Sequence, residues 1–160
     1  MKNLKSLLEV LLILGVSIGC SNDSDIVEKR LCCVNVCSDK PTLEGTWRLT
    51  GYRNVSTGEL ESDPDPDGKG VVFTFKDNEK EGTIEGHTFA NTIFGKYSLG
   101  EQCRYKILEF GGTKVGEPGW SSKAWLLALA EGNYQRTGND LTLFRDKGNN
   151  VWEGMVFKKQ

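Results

Sequence analysis

The stretch Val71-Val72-Phe73-Thr74-Phe75-Lys76 decides the fold class of this chain. Val71, Phe73 and Phe75 alternate with less apolar residues, so one face of an extended strand would be apolar and the other mixed. Seven further short runs, bounded by glycine, asparagine and aspartate, have a similar character. They span residues 45–53, 82–86, 93–99, 104–110, 134–137, 140–145 and 151–158. The sequence therefore predicts a mainly β protein of about eight short strands.

One segment departs from this pattern. Residues 121–131 are rich in alanine and leucine, begin with a serine and precede Gly132, which are features of a capped helix. The segment is apolar almost all round, so we expect it to be buried on more than one side. The predicted fold is an antiparallel barrel or half-barrel with one helix packed on it, and the four tryptophans are expected to fill its interior.

Residues 1–19 have the features of a bacterial lipoprotein signal peptide. Lys2 and Lys5 supply positive charge, and residues 10–19 form a stretch of apolar and small residues that is too short to span a bilayer. The stretch ends at Ser17-Ile18-Gly19-Cys20. This resembles a lipobox, although serine replaces the usual leucine. We expect Cys20 to carry lipid and to anchor the chain to the outer membrane, on its periplasmic or its surface face.

Residues 20–41 are polar and predict a flexible tether between the lipid and a domain at 42–160. Once Cys20 is acylated, four cysteines remain as disulfide candidates: Cys32, Cys33, Cys37 and Cys103. An even number in an oxidising compartment favours disulfides. Three pairings are possible, one of which contains a strained Cys32–Cys33 bridge, and the sequence does not choose among them. A metal site formed by these thiolates is the alternative, but the cysteines lack the paired spacing that zinc ribbons have.

The charge of the chain excludes one class of partner. The net charge is −2, and removal of residues 1–19 takes away Lys2, Lys5 and Glu9, which leaves −3. A nucleic-acid binder would carry a basic surface, so we expect no nucleic-acid partner. Nothing in the sequence calls for a cofactor.

Two sequence features are weak candidates for a chemical site. Asp63, Asp65 and Asp67 precede Gly68 in the pattern of the first half of a calcium loop. However, the twelfth position of that loop is Thr74 instead of a glutamate, and an acidic turn is the alternative. The single histidine, His87, has no recognisable triad partners, so we predict no catalytic residues.

Three segments together resemble the META (HslJ-like) domain family. Residues 43–49, Leu-Glu-Gly-Thr-Trp-Arg-Leu, look like its opening motif, and residues 86–91 with 95–97 are similar to its centre. Residues 113–117 and 140–143 look like its end. Ala90 and Glu117 stand where the family has two cysteines, so any family disulfide is absent at these positions. The resemblance implies a compact β domain linked to stress or antibiotic tolerance, with no established catalytic residues.

These observations favour a non-enzymatic, lipid-anchored envelope protein that binds a protein partner or supports the envelope under stress. The alternative is a lipocalin-like carrier that holds a small apolar ligand inside the barrel, which would need a cavity above about 300 Å³. A hydrolase or redox enzyme that uses His87 or the cysteines of the tether is a third hypothesis.

Overall fold

Nine strands make up almost all the regular structure of residues 38–160, the part of the chain that the computed structural model describes. The signal peptide, Cys20 and the predicted tether as far as Cys37 lie outside the described residues. The strands are β1 (Gly45–Asn54), β2 (Leu60–Ser62), β3 (Val72–Asp77), β4 (Glu81–His87), β5 (Thr92–Gly100), β6 (Arg104–Gly112), β7 (Glu131–Thr137), β8 (Asp140–Asp146) and β9 (Trp152–Lys159).

Eight of these strands close into an antiparallel barrel. Each of β3 to β8 pairs with the next strand along the chain, β3 also pairs with β1, and β9 pairs back onto β1. On one edge of β1, β3 pairs with residues 45–48, and the extra strand, β2, pairs with residues 51–53 further along the same edge. The prediction of a mainly β barrel is confirmed, whereas β2 was not predicted because its three residues are all exposed.

The core lies inside the barrel and forms as the alternation predicts. Val71, Phe73 and Phe75 are buried, whereas Lys76 is exposed. Every barrel strand contributes buried apolar side chains to one cluster, against which Trp120 and Trp125 also pack. The ring of Phe73 lies about 6 Å from those of Phe75, Phe110 and Phe157, in tilted or edge-on arrangements.

The predicted helix over residues 121–131 is wrong in extent. Only a single turn, α1 (Gly119–Ser122), is helical. Residues 127–130 instead form a turn that bonds to β6: the Ile107 amide donates to the carbonyl of Ala130 at 2.9 Å, and the Leu129 amide donates to the carbonyl of Ile107 at 2.7 Å. A helix there would leave the backbone groups of Ile107, a buried residue, without partners, so tertiary pairing overrides helix propensity.

Gly132 therefore does not end a helix but belongs to β7. A Cβ at this position would lie 2.0 Å from the carbonyl oxygen of Phe144. Glycine is needed there because the backbones of β7 and β8 approach too closely for any side chain.

Candidate functional site

The two ends of the barrel differ in what covers them. At one end, here the tether end, β1 begins and β7 finishes. Ser38 and Asp39 both bond to the carbonyl oxygen of Arg136 there, through the Ser38 hydroxyl and the Asp39 amide. At the opposite end, here the far end, β1, β4 and β6 finish, and the long connection 113–130 crosses. Residues 38 and 39, assigned to the tether from sequence, thus belong to the tether end of the barrel.

Asp77 closes the tether end. Its carboxylate accepts hydrogen bonds from the hydroxyls of Thr42 and Tyr97, each at 2.6 Å, and from the amides of Leu43 and Glu79 at 3.0 and 2.9 Å. Burial by itself would raise the pKa of Asp77, but these four bonds outweigh it and lower the pKa below its usual value. Burial and the bond to Asp77 both raise the pKa of Tyr97. The segment before β1 is therefore fixed to the turn between β3 and β4.

Glu117 plays the matching part at the far end. Its carboxylate accepts bonds from the hydroxyls of Ser121 and Thr88 at 2.6 and 2.7 Å, the side-chain amide of Asn91 at 2.5 Å, and the backbone amide of Ala90 at 3.1 Å. Thr88, Asn91 and Ser121 are each at most 4% exposed. We call Glu117 and its four partners Thr88, Ala90, Asn91 and Ser121 the Glu117 hub. It joins the connection 113–130 to the turn between β4 and β5.

Asn91 adds a second link in the same place. Its side-chain oxygen accepts from the amide of Val115 at 2.7 Å, and its side-chain nitrogen donates to the carbonyl of Val115 at 3.0 Å. The carboxamide therefore pairs with the backbone as a neighbouring strand would. Ala90 and Glu117 are in direct hydrogen-bond contact through the Ala90 amide.

The electrostatics of the hub favour an ionised Glu117. Burial would raise its pKa, but the bonds from Ser121, Thr88, Asn91 and the amide of Ala90 outweigh this, and the pKa is lowered. Beside the hub lies a cleft of about 430 Å³, whose walls include Thr113, Val115, Ser122 and Trp125. Among the described residues, the carboxylate bonds to hydroxyl and amide donors and to no basic side chain, so the hub acts as a structural acceptor.

The lowered pKa of Glu117 predicts a pH dependence of stability. A carboxylate whose pKa is lower folded than unfolded stabilises the protein above the unfolded value, about 4.3, and loses that contribution as the pH falls through the folded pKa. Glu117→Gln cannot titrate, so wild type should exceed this variant in free energy of unfolding at pH 7, and this advantage should be smaller at pH 3. Urea titrations at both pH values measure this. Glu81→Gln, at an exposed position, is the control; an advantage that does not change with pH contradicts the prediction.

A larger cleft, of about 580 Å³, opens at the far end between β1, β2 and the turn that joins β8 to β9. We call it the mouth cleft. Its walls are Tyr52, Asn54, Glu59, Leu60, Glu61, Lys147, Val151, Trp152 and Glu153. Leu60 and Val151 are 47% and 45% exposed, so the cleft offers apolar surface to a binding partner. Of its three carboxylates, Glu61 pairs with Lys123 at 2.6 Å and Glu153 with Arg145 at 2.5 Å, so Glu59 is the one without an ion-pair partner among residues 38–160.

An ion pair shapes the base of the mouth cleft. Arg145 donates to Glu153 from Nη2 at 2.5 Å and from Nε at 2.9 Å. The same guanidinium reaches the carbonyl of Lys123 at 2.7 Å and lies 5.9 Å from the ring centre of Tyr52. Burial raises the pKa of Tyr52, which stays protonated and donates to the carbonyl of Trp120 at 3.1 Å. The pair therefore ties β8 and β9 to the connection that crosses the far end.

The candidate disulfide residues fall mostly outside the described residues, which exclude Cys32, Cys33 and Cys37. Cys103 is buried just before β6, and its sulfur accepts a bond from the amide of Ser38 at 3.1 Å. The tether therefore reaches the barrel beside Cys103. The disulfide pairing itself stays a prediction.

We expect a tether cysteine to be linked to Cys103 in protein isolated from an oxidising compartment. Because Ser38 contacts Cys103, such a bond would need little movement of the described backbone. Mass spectrometry of peptides digested without reductant should recover residues 32–37 joined to the peptide that contains Cys103. Recovery of Cys103 solely as a thiol would contradict this, and digestion after reduction is the control.

The acidic turn at residues 63–68 is organised by an arginine. Asp63 pairs with Arg48 at 3.0 Å, and the same guanidinium bonds the carbonyls of Asp65 and Gly68. Asp63, Asp65 and Asp67 do not converge on one point: within residues 38–160, no group of three or more histidine, cysteine, aspartate or glutamate side chains is placed to hold a metal ion. The alternative interpretation, an acidic turn, fits this arrangement.

His87 lies half-buried at the end of β4, with its Nδ1 3.1 Å from the carbonyl oxygen of Thr88. Sequence reasoning missed the residues that organise both ends, which are Asp77, Glu117 and the pair Arg145 and Glu153. Asp77 lies in an Asp-Asn-Glu sequence typical of a turn, which was the signal available for it. The other three carry no local signal, because their partners are distant in sequence.

Comparison with known proteins supports the fold alone. No family model matches the chain, and no curated protein does. Among solved structures, the chain is similar to the NMR structure of a protein from Burkholderia xenovorans, with 16% identity and a TM-score of 0.51. The match covers 73% of this chain and 82% of that one. No helix within residues 38–160 has the length and apolar character needed to cross a bilayer.

Proposed function

We propose that this chain is a non-enzymatic, lipid-anchored envelope protein of the META type that binds a protein partner at the far end of its barrel. One observation carries the proposal. The chain arriving from the predicted anchor joins the barrel at the tether end, through Ser38 and Asp39, where a cleft of about 380 Å³ lies between β5 and β6. The larger mouth cleft and the cleft beside the Glu117 hub open at the far end. An anchored protein would thus keep the mouth cleft free for a partner.

The chemistry of the mouth cleft indicates the kind of partner. Leu60, Val151 and Trp152 give it apolar walls, and Glu59 adds an exposed carboxylate at the rim. A protein segment with apolar side chains flanked by lysine or arginine is complementary to such a surface. The contact between Ala90 and Glu117 supports the META resemblance, since two positions that bear cysteines in that family are neighbours here.

The anchor is tested by replacing the acylated residue. We expect the mature N-terminus to be Cys20 with the mass of its acyl chains, and the protein to sediment with outer membranes. Cys20→Ser should abolish both the acyl mass and release by the lipoprotein signal peptidase. A mature wild-type chain that starts at another residue, without acyl mass, would refute the anchor.

The partner site is tested by photo-crosslinking in intact cells. p-Benzoylphenylalanine is placed at Leu60 or Val151 in the mouth cleft, and at Thr137, exposed at the tether end, as the control. We expect the same protein adduct from both cleft positions and none from position 137. Glu59→Lys should reduce the adduct yield several-fold, whereas Glu81→Lys should not. Equal adducts from all three positions, or none from the cleft, would overturn the proposed site.

The carrier hypothesis is a second candidate with its ligand in the mouth cleft, which exceeds about 300 Å³, instead of inside the barrel, where the apolar core lies. Saturable binding of the apolar dye N-phenyl-1-naphthylamine, weakened by Val151→Asp, is its expected result. Absence of saturable binding would eliminate it. The two functions are therefore separable by experiment.

A further inference from the structure

Four large apolar side chains on one side of the barrel are exposed to solvent. The exposed fractions are 62% for Phe94, 37% for Leu108, 71% for Leu127 and 70% for Leu129. We call these four residues the apolar stripe. Isolated exposed leucines are common on protein surfaces, but a group along one strand indicates a contact surface.

Strand β6 connects the members of the stripe. At one end, the ring of Phe94 lies across Gly111, where a Cβ would be 3.2 Å from its Cζ atom. Leu108 is the extra residue of a bulge, because Lys96 pairs with Glu109 while Tyr97 pairs with Ile107. Leu129 bonds through its amide to the carbonyl of Ile107, the residue next to Leu108.

The backbone keeps the two loop leucines in place. Leu129 has a φ of 67°, a left-handed conformation that costs about 1 kcal/mol for a residue with a side chain. Two hydrogen bonds offset this cost: the amide of Leu129 donates to the carbonyl of Ile107, and the amide of Ala130 donates to the carbonyl of Leu127. Leu127, Ala128 and Leu129 are thus three consecutive exposed apolar residues on a braced loop.

The chain outside the described residues ends close to this stripe. Ser38 contacts Cys103, which immediately precedes Arg104, the first residue of β6. Leu108 lies four residues further along that strand, or about 13 Å. The eighteen residue steps from Cys20 to Ser38 span at most about 60 Å when extended. The chain between Cys20 and Ser38 is therefore long enough for the stripe to lie on the bilayer that holds Cys20.

We propose that the apolar stripe lies against the lipid bilayer and forms a second membrane contact beside the acyl chains of Cys20. This inference rests on the proposed anchor. The carboxylates on this side are paired with cations, so they do not oppose contact with a membrane surface. Glu109 pairs with Lys96 at 3.1 Å and Glu131 with Lys106 at 2.8 Å, so these carboxylates are offset by cations. The stripe adds buried apolar area to the anchor, and membrane binding increases with such area.

The test uses the mature, lipidated chain in vesicles of phosphatidylethanolamine and phosphatidylglycerol (3:1) with brominated acyl chains, which quench nearby tryptophan. The reporter variants are Leu127→Trp and Phe94→Trp. The matched control is Leu60→Trp, since Leu60 is also exposed but lies in the mouth cleft. The emission of the four native tryptophans is subtracted from that of each variant. The remaining emission is then compared between vesicles with brominated and unbrominated acyl chains.

We expect the emission added at position 127 or 94 to be blue-shifted and quenched at least threefold more than that added at position 60. In the Phe94→Trp background, Leu127→Ser with Leu129→Ser should remove most of that quenching. Equal quenching at positions 127 and 60, with acylated Cys20, would overturn the stripe and leave the anchor intact. A vesicle preparation whose protein lacks acyl mass at Cys20 would overturn the anchor and, with it, the membrane contact.

Discussion

Trp47→Ala should lower the free energy of unfolding by about 3–5 kcal/mol, the range typical of removing a large aromatic side chain from a core. Trp47 has no exposed surface, and its indole nitrogen donates to the carbonyl of Leu43 at 2.9 Å. The guanidinium of Arg136 lies 5.1 Å from its ring centre. The substitution therefore removes core volume, a buried hydrogen bond and the surface on which a buried cation rests.

Loss of the Trp47 ring beside Arg136 adds to the decrease in the free energy of unfolding. Arg136 is 4% exposed, donates to the carbonyl of Thr42 at 2.9 Å, and its Nε has no hydrogen-bond partner within the described residues. A buried cation is costly unless its surroundings compensate, and the aromatic face of Trp47 is part of that compensation. The tether end of the barrel thus depends on a stacked pair formed by β1 and β7.

Urea titration at pH 7 with circular dichroism measures the change. Trp47→Phe retains a ring under Arg136 and loses the indole hydrogen bond, so it should cost less than the alanine variant. Trp152→Ala, at the partly exposed rim of the mouth cleft, is the control and should cost about 1 kcal/mol or less. Similar losses for Trp47→Ala and Trp152→Ala would show that the described packing at Trp47 is incorrect.

Glu117→Ala should destabilise the protein by about 2–4 kcal/mol. The variant removes the acceptor for four donors, three of which belong to the buried residues Thr88, Asn91 and Ser121. A buried donor left without a partner costs about 1–3 kcal/mol. The hydroxyls of Thr88 and Ser121 keep longer bonds to the carbonyls of Asn91 and Pro118, at 3.4 and 3.2 Å, and water entering through the neighbouring cleft relieves a further part of the sum. The carboxylate therefore contributes more than an exposed ion pair, whose typical value is below 1 kcal/mol.

The same variant should loosen the far end without opening the whole barrel. Because Glu117 joins the connection 113–130 to the turn at residues 88–91, hydrogen exchange should quicken at Ala90 and Ser121 and change little at Ile84 in β4. Lys114→Ala, at an exposed position next to the hub, is the control and should leave stability within about 0.5 kcal/mol of wild type. A Glu117→Ala protein as stable as the Lys114→Ala protein would exclude the hub as a structural element.

The eight barrel strands of this protein could be predicted from local pattern alone. The alternation of Val71, Phe73 and Phe75 identifies a strand with one buried face, and the structure has that strand with those residues inside. Gly138-Asn139 separates two such runs and forms the turn between β7 and β8. Such features depend on the chemistry of neighbouring residues, so a single sequence contains them.

Other features are decided by partners far apart in the chain. Residues 121–131 have the composition of a helix, yet the hydrogen bonds of Ile107 to residues 129 and 130 hold residues 127–130 in a turn against β6 and leave Leu127 exposed. The contact between Ala90 and Glu117 spans twenty-seven residues, and that between Tyr97 and Asp77 spans twenty.

The sequence by itself determined which segments are strands, because burial on one face of a strand imposes a period of two on the residues within it. Only the tertiary structure decided how the barrel closes, which carboxylates fasten its ends and which leucines stay outside. These outcomes depend on which distant backbone groups and side chains meet when the strands pair, and the periodicity within one segment contains no information about such contacts.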